Sequence, residues 1–311
     1  MATVLLTDYA WPDDRIERAV IERAGHRLVS GPSTPLTATD IEALVAAHDP
    51  QAIMTCWAEV SARAVQTAGD LRIVQRLGVG LDNIAVAAAT ARGSWVANVP
   101  DYCVPEVSDH AVALLLAWAR GTVAFDRSVK SGSWNPAGAR LRRVSDLVVG
   151  IVGHGRIGRS TAAKLGAFGC EVLVHSRSEG MPLDALLERS DAVILHAPLT
   201  PDTHHLLDRD RIARMRRGAF LINVSRGALV DTSALLDALV FGHLAGAGLD
   251  VVEGEPAPPR ALVERPDVIV TPHVAFSSDA SLRELRQRGA EEVVRVLGGQ
   301  PPLCPCNHPE G

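Results

Sequence analysis

Short apolar runs separated by polar, helix-forming stretches set the pattern of this chain from its first residues. Thr3–Leu6 reads as a buried strand, Arg15 to Ala24 as a helix, and Ala52–Met54 as a second short strand. Further runs at Ile73-Val74, Trp95-Val96-Ala97, Leu147–Val152, Val172-Leu173-Val174, Ala192–Leu195, Phe220-Leu221-Ile222 and Val268-Ile269-Val270 alternate with helical stretches. Strand–helix alternation sustained in this way predicts an α/β protein with parallel sheets flanked by helices. One long apolar helix is predicted from about Val107 to Phe125, with Ser108 and Asp109 in its first turn, as an interlobe or dimer helix. The segments Ser131–Gly138 and Gly254–Pro259 read as loops, and neither repeats nor low-complexity tracts interrupt the pattern.

A length of 311 residues allows one large fold or two lobes. With 47% hydrophobic and 22% charged residues the composition is that of a folded soluble protein rather than a disordered or membrane-embedded one. The net charge of -5 supplies no general basic field for nucleic acid. The opening MATVLLTDY lacks a basic start and a full apolar segment of the kind that directs secretion, so a cytoplasmic address is expected. Five cysteines, Cys56, Cys103, Cys170, Cys304 and Cys306, are an odd number in a chain of this size and are expected as reduced thiols. Cys304-Pro305-Cys306-Asn307-His308 lacks a fourth ligand and the spacing of a structural zinc site, so no metal is expected there.

Gly153-His154-Gly155-Arg156-Ile157-Gly158 follows the strand Leu147–Val152 and opens a helix expected over Arg159–Phe168, with a second strand behind it. Its glycines, Gly153, Gly155 and Gly158, allow a tight turn, close approach of backbone to a pyrophosphate, and close helix–strand packing; Arg156 and Ile157 of the loop are assigned to the same site, and the N-terminus of the helix that follows supplies unpaired N–H donors. Strand, loop, helix and strand in one unit mark a dinucleotide site. The second strand ends at Ser176-Arg177-Ser178, where a fold selecting NAD normally has a carboxylate for the ribose. Arg177 can pair with a 2′-phosphate and the two hydroxyls can donate to it, which favours NADP(H) over NAD(H). Glu179, close by, works against that preference, and a solvated surface role for Arg177 is the alternative.

Five further segments, LGVGLDNI (Leu77–Ile84), HAPLTPDT (His196–Thr203), NVSRGALVD (Asn223–Asp231), GLDVVEGEP (Gly248–Pro256) and TPHVAFSS (Thr271–Ser278), resemble the D-isomer-specific 2-hydroxyacid dehydrogenases in order and spacing. The resemblance implies two Rossmann-like lobes. Residues 1–100 and 275–311 would form a discontinuous substrate lobe, 101–274 the inserted dinucleotide lobe, with the active site in the cleft and a homodimer built through helices near 101–125. It implies hydride transfer between NAD(P)H and a small 2-oxo or 2-hydroxy acid. Reducing a 2-oxo acid needs a cation for its carboxylate, a proton donor for its carbonyl oxygen and a nearby hydride. By resemblance Arg226 takes the carboxylate, His273 is the general acid or base, and Glu255 accepts from the other ring nitrogen, fixing the tautomer and raising the histidine pKa. Backbone N–H groups of Val79 and Gly80 complete the carboxylate site. The cofactor pocket extends, again by resemblance, to Ala197, Pro198, Thr203, Val224, Ser225, His273 and Ala275, with Asp250 holding the nicotinamide amide. Taken alone, Arg226 reads as a surface charge, His273 as a strand-end histidine and Glu255 as a loop carboxylate; their joint placement after buried strands carries the catalytic reading.

Departures narrow the substrate. Relatives acting on 3-phosphoglycerate carry basic residues where this chain has Thr55-Cys56-Trp57-Ala58-Glu59, so a phosphorylated substrate is disfavoured unless Arg76 or a partner-subunit arginine substitutes. Trp57 and Phe276 would form an apolar wall for the substrate side chain or pack the lobes. VPDYCVPEVSDHAVALLLAWARG with HVAFSS resembles the branch that includes C-terminal binding proteins, which opens a second class, a dinucleotide-sensing binding module that recruits peptides. Intact Arg226, Glu255 and His273 favour turnover. Formate dehydrogenases of the same fold have glutamine in place of Glu255, which argues against that activity.

Overall fold

The computed structural model describes residues 1–309. They fall into two compact units, one of Met1–Tyr102 plus the chain from Ser278 onward, the other of Cys103–Ser277. The divisions fall two and three residues beyond positions 100 and 274. Asp101 stays with the first unit through an ion pair to Arg288 at 2.8 Å, and Ala275 stays with the second by donating its N–H to Asp250 at 2.9 Å.

The first unit is built on a parallel sheet of five strands: β1 (Thr3–Leu6), β2 (Arg27–Ser30), β3 (Ala52–Thr55), β4 (Ile73–Arg76) and β5 (Trp95–Ala97), in the order β2-β1-β3-β4-β5. Helices α1 (Arg15–Arg23), α2 (Ala38–His48), α3 (Ala62–Thr67) and α4 (Val86–Ala91) connect them, and the helix Asp279–Leu297 returns against α1. The central strands β3 and β4 are buried at every residue, as strands covered on both faces must be. Strand β2 was not expected. It lies at the sheet edge and places only Leu28 in the core, too weak an apolar signal to read from sequence. The tail is no loose end: Cys306 donates its N–H to Val96 at 2.7 Å, and Asn307 accepts from Val96 N–H and donates to Ser94.

The second unit carries six parallel strands, β6 (Val148–Val152), β7 (Glu171–His175), β8 (Ala192–Leu195), β9 (Phe220–Asn223), β10 (Gly246–Leu249) and β11 (Val268–Val270), in the order β11-β10-β9-β8-β6-β7. The order reverses between β6 and β8, and a ligand in such a sheet sits at the carboxyl ends of the strands flanking that reversal. Its helices are α5 (Val104–Arg120), α6 (Thr122–Lys130), α7 (Arg156–Ala167), α8 (Leu183–Arg189), α9 (Arg209–Arg214), α10 (Thr232–Val240) and α11 (Arg260–Val263).

Two helix expectations are corrected. The long apolar stretch is two helices, because Gly121 adopts a left-handed φ of 62° and ends α5. Ser108 does not open that helix; it is buried one turn inside, donating to the Val104 carbonyl at 2.6 Å, while Asp109 pairs with Lys164 on α7. The helix after the glycine loop begins at Arg156, three residues earlier than expected, so the loop and the first helical turn are one structure. No helix among the described residues is long and apolar enough to cross a membrane.

Candidate active site

The glycine loop occupies the turn from β6 into α7, and its glycines meet different surroundings. Gly153 has φ of 100°, and a Cβ there would lie 2.5 Å from the His196 carbonyl carbon after β8. At Gly158 a Cβ would lie 2.1 Å from the Gly153 carbonyl oxygen, so only glycine lets the helix approach the turn. A Cβ on Gly155 would meet nothing within 4 Å. Packing therefore does not demand that glycine, and the open space it borders is what a pyrophosphate approaching the first-turn N–H groups of Arg156 and Ile157 requires. The residues present fit a dinucleotide.

Behind the loop, His196 hydrogen-bonds Thr161 on α7 at 2.9 Å. Thr161 gives its own proton to the Ile157 carbonyl, so it accepts from His196 Nε2–H, which fixes a proton on that nitrogen. Burial pushes the His196 pKa down to about 3. A histidine whose folded pKa is depressed binds protons more readily when unfolded, so its contribution to stability is complete above the free-imidazole value near 6.5 and is lost as pH falls from there toward 3. Urea unfolding is therefore expected to lose stability between pH 7 and pH 5, with up to about 1.4 kcal/mol per pH unit from this residue. His196→Gln, which keeps a donor to Thr161, should show a shallower decline; an identical decline would exclude His196 as the cause.

At the end of β7 the chain turns tightly. Ser176 N–H and Oγ donate to the Glu179 carbonyl at 2.9 and 3.1 Å, which commits the Ser176 proton and removes it from the donors expected for a phosphate. Glu179 folds back on the glycine loop, accepting from His154 Nδ1 at 2.7 Å and Arg159 at 3.2 Å, and these two hydrogen bonds hold its carboxyl below the usual range. Its charge is met by two partners. Arg177 and Ser178 are exposed, and the Arg177 guanidinium has no partner among the described residues. Beyond β8, Ala197 is half-buried and Pro198 exposed, and Thr203 closes their loop by donating to the Pro198 carbonyl at 2.7 Å and accepting from Thr200 N–H at 2.8 Å.

The three catalytic candidates lie after neighbouring strands of one sheet. Arg226 follows β9, half-buried, with Nη1 donating to the Ser225 carbonyl at 2.8 Å. Asn223 shapes this turn, donating to the Arg226 carbonyl and accepting from Ser225 N–H, while Ser225 Oγ donates to the Leu195 carbonyl and Val224 is buried. His273 follows β11 in a left-handed conformation, φ 53°, uncommon for a residue with a side chain. Its N–H donates to the Asp250 carbonyl at 2.8 Å, its Nδ1 meets Glu255 at 2.9 Å, and its ring lies edge-on to Phe276 at 6.2 Å. The Glu255 carboxylate only accepts, so Nδ1 carries the proton in this pair.

Asp250, expected from sequence at a nicotinamide amide, is engaged within the protein. Its buried carboxylate accepts from Thr271 Oγ at 2.5 Å, Val274 N–H at 3.0 Å and Ala275 N–H at 2.9 Å, clamping the turn that carries His273. His110, on α5, reaches Thr271 Oγ with Nε2 at 2.9 Å. Because Thr271 gives its proton to Asp250, it accepts one from His110, which fixes that ring's tautomer. Sequence reading missed His110 and Thr271, since 161 residues separate the pair.

In the first unit, the loop Cys56–Ala58 is held by Asp8, whose buried carboxylate accepts the N–H groups of Cys56, Trp57 and Ala58 at 3.0, 2.7 and 3.1 Å. Asp8 was also missed. Arg76 is buried beneath the next loop: Nη1 donates to the Leu77 carbonyl, and a Cβ on Gly78 would lie 2.6 Å from it. Burial pushes the neighbouring Cys56 thiol up to about 12, so it is no nucleophile. The N–H groups of Val79 and Gly80 have no partner among the described residues, while the Val79 carbonyl accepts from Asn98.

A dinucleotide-binding sheet with a histidine–carboxylate pair and an arginine at its carboxyl end defines a nicotinamide-dependent oxidoreductase. Comparison with known proteins makes this specific: residues 112–275 match the family model for the NAD binding domain of D-isomer specific 2-hydroxyacid dehydrogenases. A glyoxylate reductase of Korarchaeum cryptofilum is 39% identical over 78% of each chain. A D-3-phosphoglycerate dehydrogenase of Mycobacterium tuberculosis is 38% identical over 78% of this chain, which spans about half, 48%, of that enzyme's length. The solved structure of an NADPH-dependent glyoxylate/hydroxypyruvate reductase from Sinorhizobium meliloti, in complex with NADP and malonate, matches with a TM-score of 0.84 at 30% identity, over 98% of this chain and 96% of that one. The chain belongs to the D-isomer specific 2-hydroxyacid dehydrogenase family.

Proposed function

We propose that this protein reduces small, unphosphorylated 2-oxo acids to D-2-hydroxy acids with NADPH in preference to NADH. The observation that carries the reading is the His273–Glu255 pair, set after β11 and β10 of the sheet whose neighbouring strand β9 delivers Arg226. When bound, the reduced nicotinamide supplies a hydride to the substrate C2. Arg226 receives the substrate carboxylate with its planar fork and polarises the adjacent carbonyl. Val79 and Gly80 add backbone donors to the same carboxylate. His273, with Nδ1 turned to Glu255, presents Nε2–H to the carbonyl oxygen and delivers the proton as the alcohol forms; Glu255 balances the imidazolium charge before that transfer. In oxidation the same nitrogen takes the proton back. Asp250, Thr271 and His110 keep His273 in place.

Small unphosphorylated substrates are favoured because Trp57 and Glu59 stand in the loop after β3 and Arg76 is buried with Nη1 spent on its own backbone. The glyoxylate and hydroxypyruvate reductases among the relatives agree with that size. Trp57 and Phe276 are the residues we assign to the substrate side chain, and a homodimer through the α5–α6 region is part of the same reading.

The NADPH preference rests on Arg177, which has no partner among the described residues, and on the engagement of Glu179 by His154 and Arg159. Arg177→Ala is expected to weaken NADPH by about tenfold to a hundredfold, the worth of a charge-assisted phosphate contact, and to leave NADH nearly unchanged. Dissociation constants for both dinucleotides by nicotinamide fluorescence check this. Equal affinity of the wild type for NADH and NADPH would overturn the assignment.

A further inference from the structure

His204, His205 and Glu253 are not among the residues assigned to catalysis or to the cofactor, and 48 residues separate His205 from Glu253. One ligand atom from each of the three lies within 4.8 Å of the others. The two rings sit 4.1 Å apart, and His205 Nε2 meets Glu253 Oε1 at 2.7 Å. Glu253 is oriented by a second contact, from the Thr232 N–H to its other oxygen at 3.0 Å, and the backbone of His205 is pinned by its N–H to the Ala228 carbonyl at 2.8 Å. The His204 ring is exposed and has no hydrogen-bond partner among the described residues. Glu253 also borders a solvent-open pocket with Thr232, Ser233 and Gly254, so an ion reaches it from water.

We propose that His204, His205 and Glu253 form a binding site for a divalent transition-metal ion of the zinc type. Two imidazoles and one carboxylate are a donor set that suits zinc, cobalt or nickel over magnesium or calcium, and three protein ligands leave one position for water. The ion takes the place of the proton between His205 Nε2 and Glu253; a neutral His205 carries its proton on Nδ1 instead, and an imidazolium releases the Nε2 proton to solvent. The Thr232 N–H supplies the outer contact that aims the carboxylate. Only small side-chain rotations are needed, because the donors already converge. The ion would tie the turn at His204-His205 to the loop that bears Glu255 two residues further on, bracing it without entering the reaction.

Titrating the full chain with zinc chloride in a calorimeter is expected to give one saturable site, and zinc should raise the thermal midpoint. Cobalt(II) should give a spectrum without a thiolate charge-transfer band. His204→Ala removes an exposed ring that makes no hydrogen bond and should weaken zinc by about tenfold or more and abolish the thermal shift. Glu253→Gln should weaken it as well, whereas joint replacement of Cys304 and Cys306 by serine should leave it unchanged. Absence of saturable binding in the wild type, unchanged binding in His204→Ala, or a thiolate band lost with the cysteines would each overturn the proposal.

Discussion

Replacing His273 with alanine is expected to lower turnover by about 10²- to 10⁴-fold, the usual loss when a positioned general acid is removed. The carbonyl oxygen gains negative charge as hydride arrives, and His273 is the group we assign to protonate it. Its left-handed φ of 53° makes the backbone part of the test. His273→Asn supplies a second variant, because asparagine tolerates that conformation but its amide N–H is too weakly acidic to transfer a proton. Both variants should be equally inactive, with thermal midpoints close to wild type. Glu255→Gln should fall between them and wild type, since a neutral amide still accepts from Nδ1 at 2.9 Å but no longer balances an imidazolium. Steady-state turnover of the three variants decides the matter, and near-normal rates in His273→Asn would exclude the histidine as the acid.

Loss of Arg226 should be comparably severe. Arg226→Ala is expected to lower kcat/KM by about 10²- to 10³-fold, the scale for a donor that meets charge developing in the transition state. Arg226→Lys should recover only part of this, because an ammonium keeps the charge and loses the two parallel N–H groups. Affinity for NADPH should be unchanged in both, which separates a lost substrate contact from a disturbed fold. The Asn223 and Ser225 hydrogen bonds of the turn around Arg226 do not use its side chain, so truncating the arginine leaves those contacts standing. Wild-type kcat/KM in Arg226→Ala would remove the arginine from the mechanism.

The strands that could be read from sequence are those with an unbroken apolar run, including β7 and β11, which are only partly buried. Ala192–Leu195 and Phe220–Asn223 lie inside the larger sheet and are apolar almost throughout, so periodicity alone marks them. Edge strand β2 and the glycine-rich β10 gave weak signals, because one needs little burial and the other lacks β-branched side chains. The α5–α6 stretch looked like one helix since apolar residues continue across Gly121, and only its left-handed φ reveals the break. At the site, Arg226, Glu255 and His273 stood out because each belongs to a compact motif. Asp8, His110 and Thr271 did not, because each acts through a hydrogen bond between segments distant in sequence, and no local pattern encodes such a partner.

The central claim is a hydride transfer from a nicotinamide to C2 of a 2-oxo acid, and isotope transfer tests it most directly. The purified protein would be incubated with NADPH deuterated at C4 of the dihydronicotinamide, in both stereochemical forms, and a small 2-oxo acid that bears a side chain, such as hydroxypyruvate. The product would be analysed by NMR and chiral chromatography. The account predicts deuterium at C2 of a 2-hydroxy acid of D configuration, delivered from one of the two forms only. Neither NADPH nor NADH being consumed across a panel of small 2-oxo acids, or a product without deuterium from either form, would contradict it.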